Sequence, residues 1–119
     1  MIAKEAIDEA VRDHSEWKKR LREAITIGRS EFKIWVVKQD NECQFGKWLH
    51  SLSEEEMKSE DFQKVKTLHA EFHKVAGKVL EFALTGGKDA ASKMMRQSGT
   101  YGDITGRFVL ALNDWKNKL

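Results

Sequence analysis

The sequence predicts an all-α protein, an antiparallel bundle of helices. Three observations carry this expectation. The chain has no proline among its 119 residues, so nothing stops a helix by removing a backbone donor. Apolar residues recur every three or four positions over long stretches, which puts them on one helical face. No segment shows the apolar–polar alternation of a half-buried strand. The balance of 40% hydrophobic and 34% charged residues fits a folded, well-solvated helical protein and argues against disorder. The length suits one compact domain over residues 1–119 with a single core.

Four helical segments are expected in order. The first runs from about Ile2 to Ile27, with Ile7, Ala10, Val11, Trp17, Leu21, Ala24 and Ile25 on one face. The second is short, roughly Asn41–Leu52, with Asp40 or Asn41 as candidate N-cap. The third runs from about Asp61 to Leu84. Its stripe is Phe62, Val65, Leu68, Phe72, Ala76, Val79, Leu80 and Ala83, and Gly86-Gly87 stops it. The fourth runs from about Lys88 to Lys118, with Phe108, Leu112 and Trp115 among its apolar positions. Two stretches are ambiguous. "IWVV" within 28–40 reads equally as an extended connector or a last helical turn. The glycine-rich 97–106 either breaks the helix or lets neighbouring helices approach closely.

Bulk properties exclude several function classes. The net charge is +2, from 21 basic and 19 acidic residues mixed along the chain, which is no nucleic-acid footprint. A single cysteine makes no intramolecular disulfide and fits a reducing compartment. The charged start "MIAKEAIDEAVRDH" has no apolar stretch typical of a signal peptide. No apolar run approaches the roughly 20 residues that span a bilayer. The expected location is the cytoplasm, without membrane contact by this chain.

The histidines stand where apolar residues belong. Stepping along the first helix gives Ile7, Ala10, His14, Trp17, Leu21, Ala24. The third gives Phe62, Val65, His69, Phe72, Ala76, Val79. His73 follows His69 by four, so the two imidazoles leave one face about 40° and about 6 Å apart. A single inward histidine is ordinarily satisfied by one backbone carbonyl. Three of them, two as an i,i+4 pair, need a shared acceptor of lone pairs, because an unpartnered buried imidazole costs a few kcal/mol. A metal ion is the simplest acceptor. Cys43 in "NECQFGKWLH" supplies a fourth donor, and three imidazoles with one thiolate match a tetrahedral zinc set rather than magnesium or calcium. In the first turn of the short helix the dipole would favour that thiolate. Gly46 would let the chain pack closely there, and Trp48 would shield the site. Two other readings of Cys43 stand beside this one, a small buried hydrophobe and a catalytic nucleophile, for which no accompanying motif exists.

The motifs "HSEW" (14–17), "CQFGKWL" (43–49) and "LHAEFHKVAG" (68–77) resemble those of the chemoreceptor zinc-binding, or CZB, domain family, in order and spacing over nearly the whole chain. The resemblance implies a four- to five-helix bundle around one zinc ion held by His14, Cys43, His69 and His73. His50 matches no family ligand. The resemblance also implies a homodimer that regulates an output region, either a chemoreceptor signalling region or a diguanylate cyclase domain, in cis or in trans. The cues it implies are zinc occupancy or oxidation of the cysteine, notably by hypochlorous acid. The chain shows no output domain of its own, so it is expected either to stand free or to be part of a larger receptor.

Two further functions compete with a sensor. A zinc hydrolase needs an open coordination position and a nearby carboxylate base. Glu71 lies between His69 and His73, but the spacing H-A-E-F-H differs from the metalloprotease signature. Glu71 also sits about 200° around the helix from His69, so no enzyme is expected. The other alternative is a bundle in which zinc acts only as a structural staple. A di-iron site needs several inward carboxylates, and the apolar stripes carry none.

Overall fold

A cross-section through the molecule meets four legs of chain arranged up, down, up and down. A computed structural model describes residues 4–41, 43–96 and 98–119. Its described elements are α1 (Lys4–Ile27), α2 (Ile34–Val37), α3 (Gln44–His50), α4 (Glu54–Met57), α5 (Glu60–Leu84), α6 (Lys88–Met95) and α7 (Thr100–Asn117). No strand occurs among the described residues. Helix α1 is the first leg, the three short helices α2–α4 the second, α5 the third, and α6 with α7 the fourth. Cross-leg contacts fix the directions. Phe62, Glu71 and Phe72 of α5 meet Trp115, Arg107 and Tyr101 of α7. Asp8 and His14 of α1 meet Lys116 and Phe108. Numbers rise on one side as they fall on the other, so α7 runs antiparallel to both α1 and α5.

The apolar stripes read from the sequence build this core. All eight stripe residues of α5 are buried, as are Ile7, Ala10, Leu21 and Ala24 of α1 and Phe108, Leu112 and Trp115 of α7. Val11, Trp17 and Ile25 pack on its edge. Helix α5 touches α1, α2, α4, α6 and α7 and is the central element. Ser59 caps it by accepting from the Phe62 amide at 3.1 Å. Gly86, at a left-handed φ of +85°, ends it.

The structure resolves the two ambiguous stretches and adds an element. "IWVV" forms the single helical turn α2. The fourth helix is broken: Arg96 is extended, and the Gly99 amide donates to its carbonyl at 2.8 Å. A Cβ on Gly99 would lie 2.6 Å from the Met94 carbonyl oxygen, so this glycine does serve close approach. Gly106, inside α7, has nothing within 4 Å and does not. Helix α4, absent from the sequence expectation, begins with a capping box between Ser53 and Glu56. The first three residues, Glu42 and Gln97 lie outside the described residues, so the expected start at Ile2 and part of 97–106 fall there. Trp115 is core, whereas Trp35 on α2 is 61% exposed.

Candidate metal centre

Four side chains from three legs converge between α1, α3 and α5. His14 comes from α1, Cys43 from the N-cap of α3, and His69 and His73 from α5. Their nearest ring nitrogens and the sulfur all lie within 4.8 Å of one another. His69 Nε2 is 3.0 Å from His73 Nε2 and 3.3 Å from Cys43 Sγ. Cys43 Sγ is 4.0 Å from His14 Nε2. The three histidines are buried and Cys43 is half-buried.

Local folding explains each position. Helical periodicity turns His14, His69 and His73 inward with the apolar stripes. Cys43 is the N-cap of α3, where sequence reasoning expects Asp40 or Asn41. Its backbone is extended, with φ −85° and ψ 160°, and its sulfur accepts from the Gly46 amide at 3.3 Å. Gly46 is buried, and a Cβ there would overlap the Asp40 carbonyl. The absence of a side chain at Gly46 lets the 38–41 segment lie on α3 and delivers Cys43 to the cluster.

Backbone carbonyls set the imidazole tautomers. His14 Nδ1–H donates to Ala10 O at 2.7 Å, and His73 Nδ1–H donates to Val37 O at 2.9 Å. A carbonyl can only accept, so a neutral ring in this position carries its lone pair on Nε2. Both Nε2 atoms face the cluster. Burial holds the His14 imidazole down to about 4 and His69 to about 2, with the neighbouring His73 and His14 adding to the second. Burial also lowers His73, against the Val37 hydrogen bond. The three imidazoles are therefore uncharged at neutral pH, and those of His14 and His73 turn a lone pair toward the cluster.

Burial raises the Cys43 thiol, and the backbone amides at the start of α3 oppose this only in part. Sequence reasoning expects the helix dipole to favour the thiolate; in the structure desolvation outweighs it. A divalent cation reverses the balance, because a coordinated thiol loses its proton. Tetrahedral coordination at about 2.0–2.1 Å to nitrogen and about 2.3 Å to sulfur places adjacent donor atoms roughly 3.3–3.6 Å apart. The observed separations bracket that range, so the donor set fits such an ion in distance, tautomer and chemistry.

Aromatic rings enclose the cluster. Phe45, Phe72 and Phe108 lie with ring centroids 6.0, 5.0 and 5.2 Å from His14. Phe45 and Phe108 also flank His69, at 5.1 and 5.5 Å. Trp48 stacks on the far side of Phe45 at 5.5 Å, so Phe45 is the immediate wall and Trp48 the outer one. Sequence reasoning assigned no site role to these phenylalanines or to the Val37 carbonyl. Two of them carry a positional signal, Phe45 inside the cysteine motif and Phe72 inside the motif that holds His69 and His73. Trp17 packs on Phe32 at 5.0 Å, at the mouth of a cleft that reaches His14, Cys43 and His73. His50 is exposed and outside the cluster. Glu71 is exposed and lies 3.8 Å from Arg107, and no carboxylate joins the cluster among the described residues.

No curated protein matches the chain, and neither does any solved structure. The family described as chemoreceptor zinc-binding domain, CZB, matches residues 14–80. The match begins at His14 and includes Cys43, His69 and His73. With more than half of its length matched, the chain belongs to the CZB family.

Proposed function

We propose that residues 1–119 form one sensory zinc-binding domain in which His14, Cys43, His69 and His73 hold a single Zn2+ ion. The observation that carries this reading is the convergence of four donor atoms from three legs within 4.8 Å. The soft sulfur and imidazole set favours zinc over oxygen-seeking cations. Four protein ligands close the site, which argues against hydrolysis.

Bound zinc would supply a positive charge that keeps Cys43 as thiolate and links the three legs. The chain's own residues do the rest. Ala10 and Val37 carbonyls orient two imidazoles, Gly46 holds the sulfur in place, and Phe45 and Phe108 shield the His69 side from water. Losing the ion or oxidising Cys43 leaves three imidazoles without a common partner in an apolar core. The legs then shift, and a change in packing reaches the output. That output is a chemoreceptor signalling region or a diguanylate cyclase, in cis or in trans, controlled by a homodimer of this domain in the cytoplasm. CZB domains occur in chemoreceptor-related proteins, and no helix among the described residues is long and apolar enough to cross a membrane.

The alternative is a staple that holds zinc but senses nothing. The half-buried sulfur at the base of a cleft favours the sensor. Treatment of the zinc-loaded protein with hypochlorous acid separates the two. A sensor releases zinc as Cys43 is oxidised, keeps its helices and changes its dimer arrangement in solution scattering. Retention of zinc, or global unfolding on its loss, would support the staple.

A further inference from the structure

The walls of the metal cluster are not equivalent. His69 is fully buried behind Phe45 and Phe108. His14, Cys43 and His73 instead line one cleft of about 390 Å³ that opens to solvent. Of these, the Cys43 sulfur belongs to the only half-buried member of the described set. The cleft is therefore the short path between solvent and the cluster, and the sulfur is the donor it reaches most readily.

The side chains that line this cleft carry a net positive charge, with Asp40 acting on Cys43 and His73 from beside it. Arg20 and Lys33 line it, against Asp13 as the one acidic side chain among its described lining residues. Arg20 is not loose. Its guanidinium carbon lies 5.1 Å from the Trp17 ring centroid and 5.3 Å from that of Phe32, and both rings line the same cleft. Stacking of this kind restrains an arginine and leaves its planar donors suited to paired contacts with a carboxylate.

We propose that this cleft is a docking site for small anionic chelators, drawn in by Arg20 and Lys33, through which the metal ion is exchanged by way of Cys43. The inference rests on the metal-site reading above and adds the route and the class of exchange partner. With an ion held by the four donors, a carboxylate of the chelator would take the place that the Cys43 thiolate gives up as a ligand. The sulfur keeps its electron pair and takes a proton from water, and hydroxide passes to the buffer. Exchange of this kind is first order in chelator, unlike spontaneous dissociation.

The test follows zinc release from the loaded full chain by stopped flow, with EDTA as a polyanionic probe and phenanthroline as a neutral one. The double variant Arg20→Glu/Lys33→Glu turns two cations of the lining into anions while leaving every proposed ligand in place. Release to EDTA is expected to be first order in EDTA and to slow about tenfold in the variant at low ionic strength, with the difference shrinking as salt rises. Release to phenanthroline is expected to be unchanged. Equal slowing for both chelators, no slowing for EDTA, or rates independent of EDTA concentration would overturn the inference. Zinc content is read first. A wild-type chain without zinc would overturn the site reading and this inference together, whereas a loaded chain that fails the kinetic test overturns the inference alone.

Discussion

Gly46 carries a steric demand whose sign runs against helix propensity. In an exposed helix, replacing glycine by alanine stabilises by about 1 kcal/mol. At Gly46 the new Cβ would overlap the Asp40 carbonyl oxygen and sit 2.8 Å from its carbon and 3.1 Å from Asn41 Cα. These are backbone atoms, so relief requires moving the 38–41 segment rather than rotating a side chain. Overpacking of this kind costs about 3 kcal/mol at the upper end of its usual range. Setting the propensity gain against it leaves a net loss of about 2 kcal/mol. For a chain of this size that lowers Tm by roughly 8 °C. Because the Gly46 amide donates to the Cys43 sulfur, zinc affinity falls as well. Gly106 is the internal control, since it lies in α7 with nothing within 4 Å, and Gly106→Ala should raise stability by about 0.5–1 kcal/mol. Thermal and urea denaturation of the zinc-free variants measures both. If Gly46→Ala proved as stabilising as Gly106→Ala, the packing of the 38–41 segment on α3 would be wrong.

Other perturbations follow from the same structure. Phe108→Ala removes a ring that packs on His14, Phe45, His69 and Phe72; it should cost about 3–5 kcal/mol in urea unfolding, and a loss below 1 kcal/mol would contradict its central place. Burial raises the phenol of the single tyrosine, Tyr101, from 10.0 to about 12. Its neutral form thus favours the folded state fully below pH 10, and that contribution is lost as pH rises through about 12; ultraviolet titration of the folded chain should show a midpoint near 12, not 10. In the zinc-free chain, His14 and His69 are held far below their ordinary 6.5. The unfolded chain then takes up protons the folded one refuses, so stability is present above pH 6.5 and falls as pH drops from 6.5 toward 4. Each of the two histidines contributes a slope of up to about 1.4 kcal/mol per pH unit, and a flat urea midpoint across that window would contradict their burial as neutral rings.

Much of this arrangement is legible in the sequence, for identifiable reasons. Helical periodicity is strong in α1 and α5, so their buried faces, including His14, His69 and His73, can be read by counting threes and fours. Cys43 comes to the same place only through the fold, because it follows an irregular leg that carries no periodic signal. Its role as N-cap is hidden because caps are ordinarily Ser, Thr, Asp or Asn, and Asp40 and Asn41 are nearby decoys. The break between α6 and α7 shows as a glycine cluster, but the sequence does not say which glycine breaks the helix. Contact of Gly99 with the α6 backbone decides it, while Gly106 is simply tolerated. The carbonyl of Val37 orients His73 across 36 positions of sequence, and a backbone acceptor has no residue signature at all. Trp35 and Trp115 look alike in sequence and end on opposite sides of the surface.

The most direct test of the metal site is elemental analysis of the purified protein and its single-ligand variants, dialysed against a competing chelator. One zinc per wild-type chain, with zinc lost from Cys43→Ala and from His69→Ala while circular dichroism keeps its helical signal, is the result the arrangement of His14, Cys43, His69 and His73 predicts. A wild-type chain without metal, or a Cys43→Ala chain that keeps its full zinc complement, would contradict it.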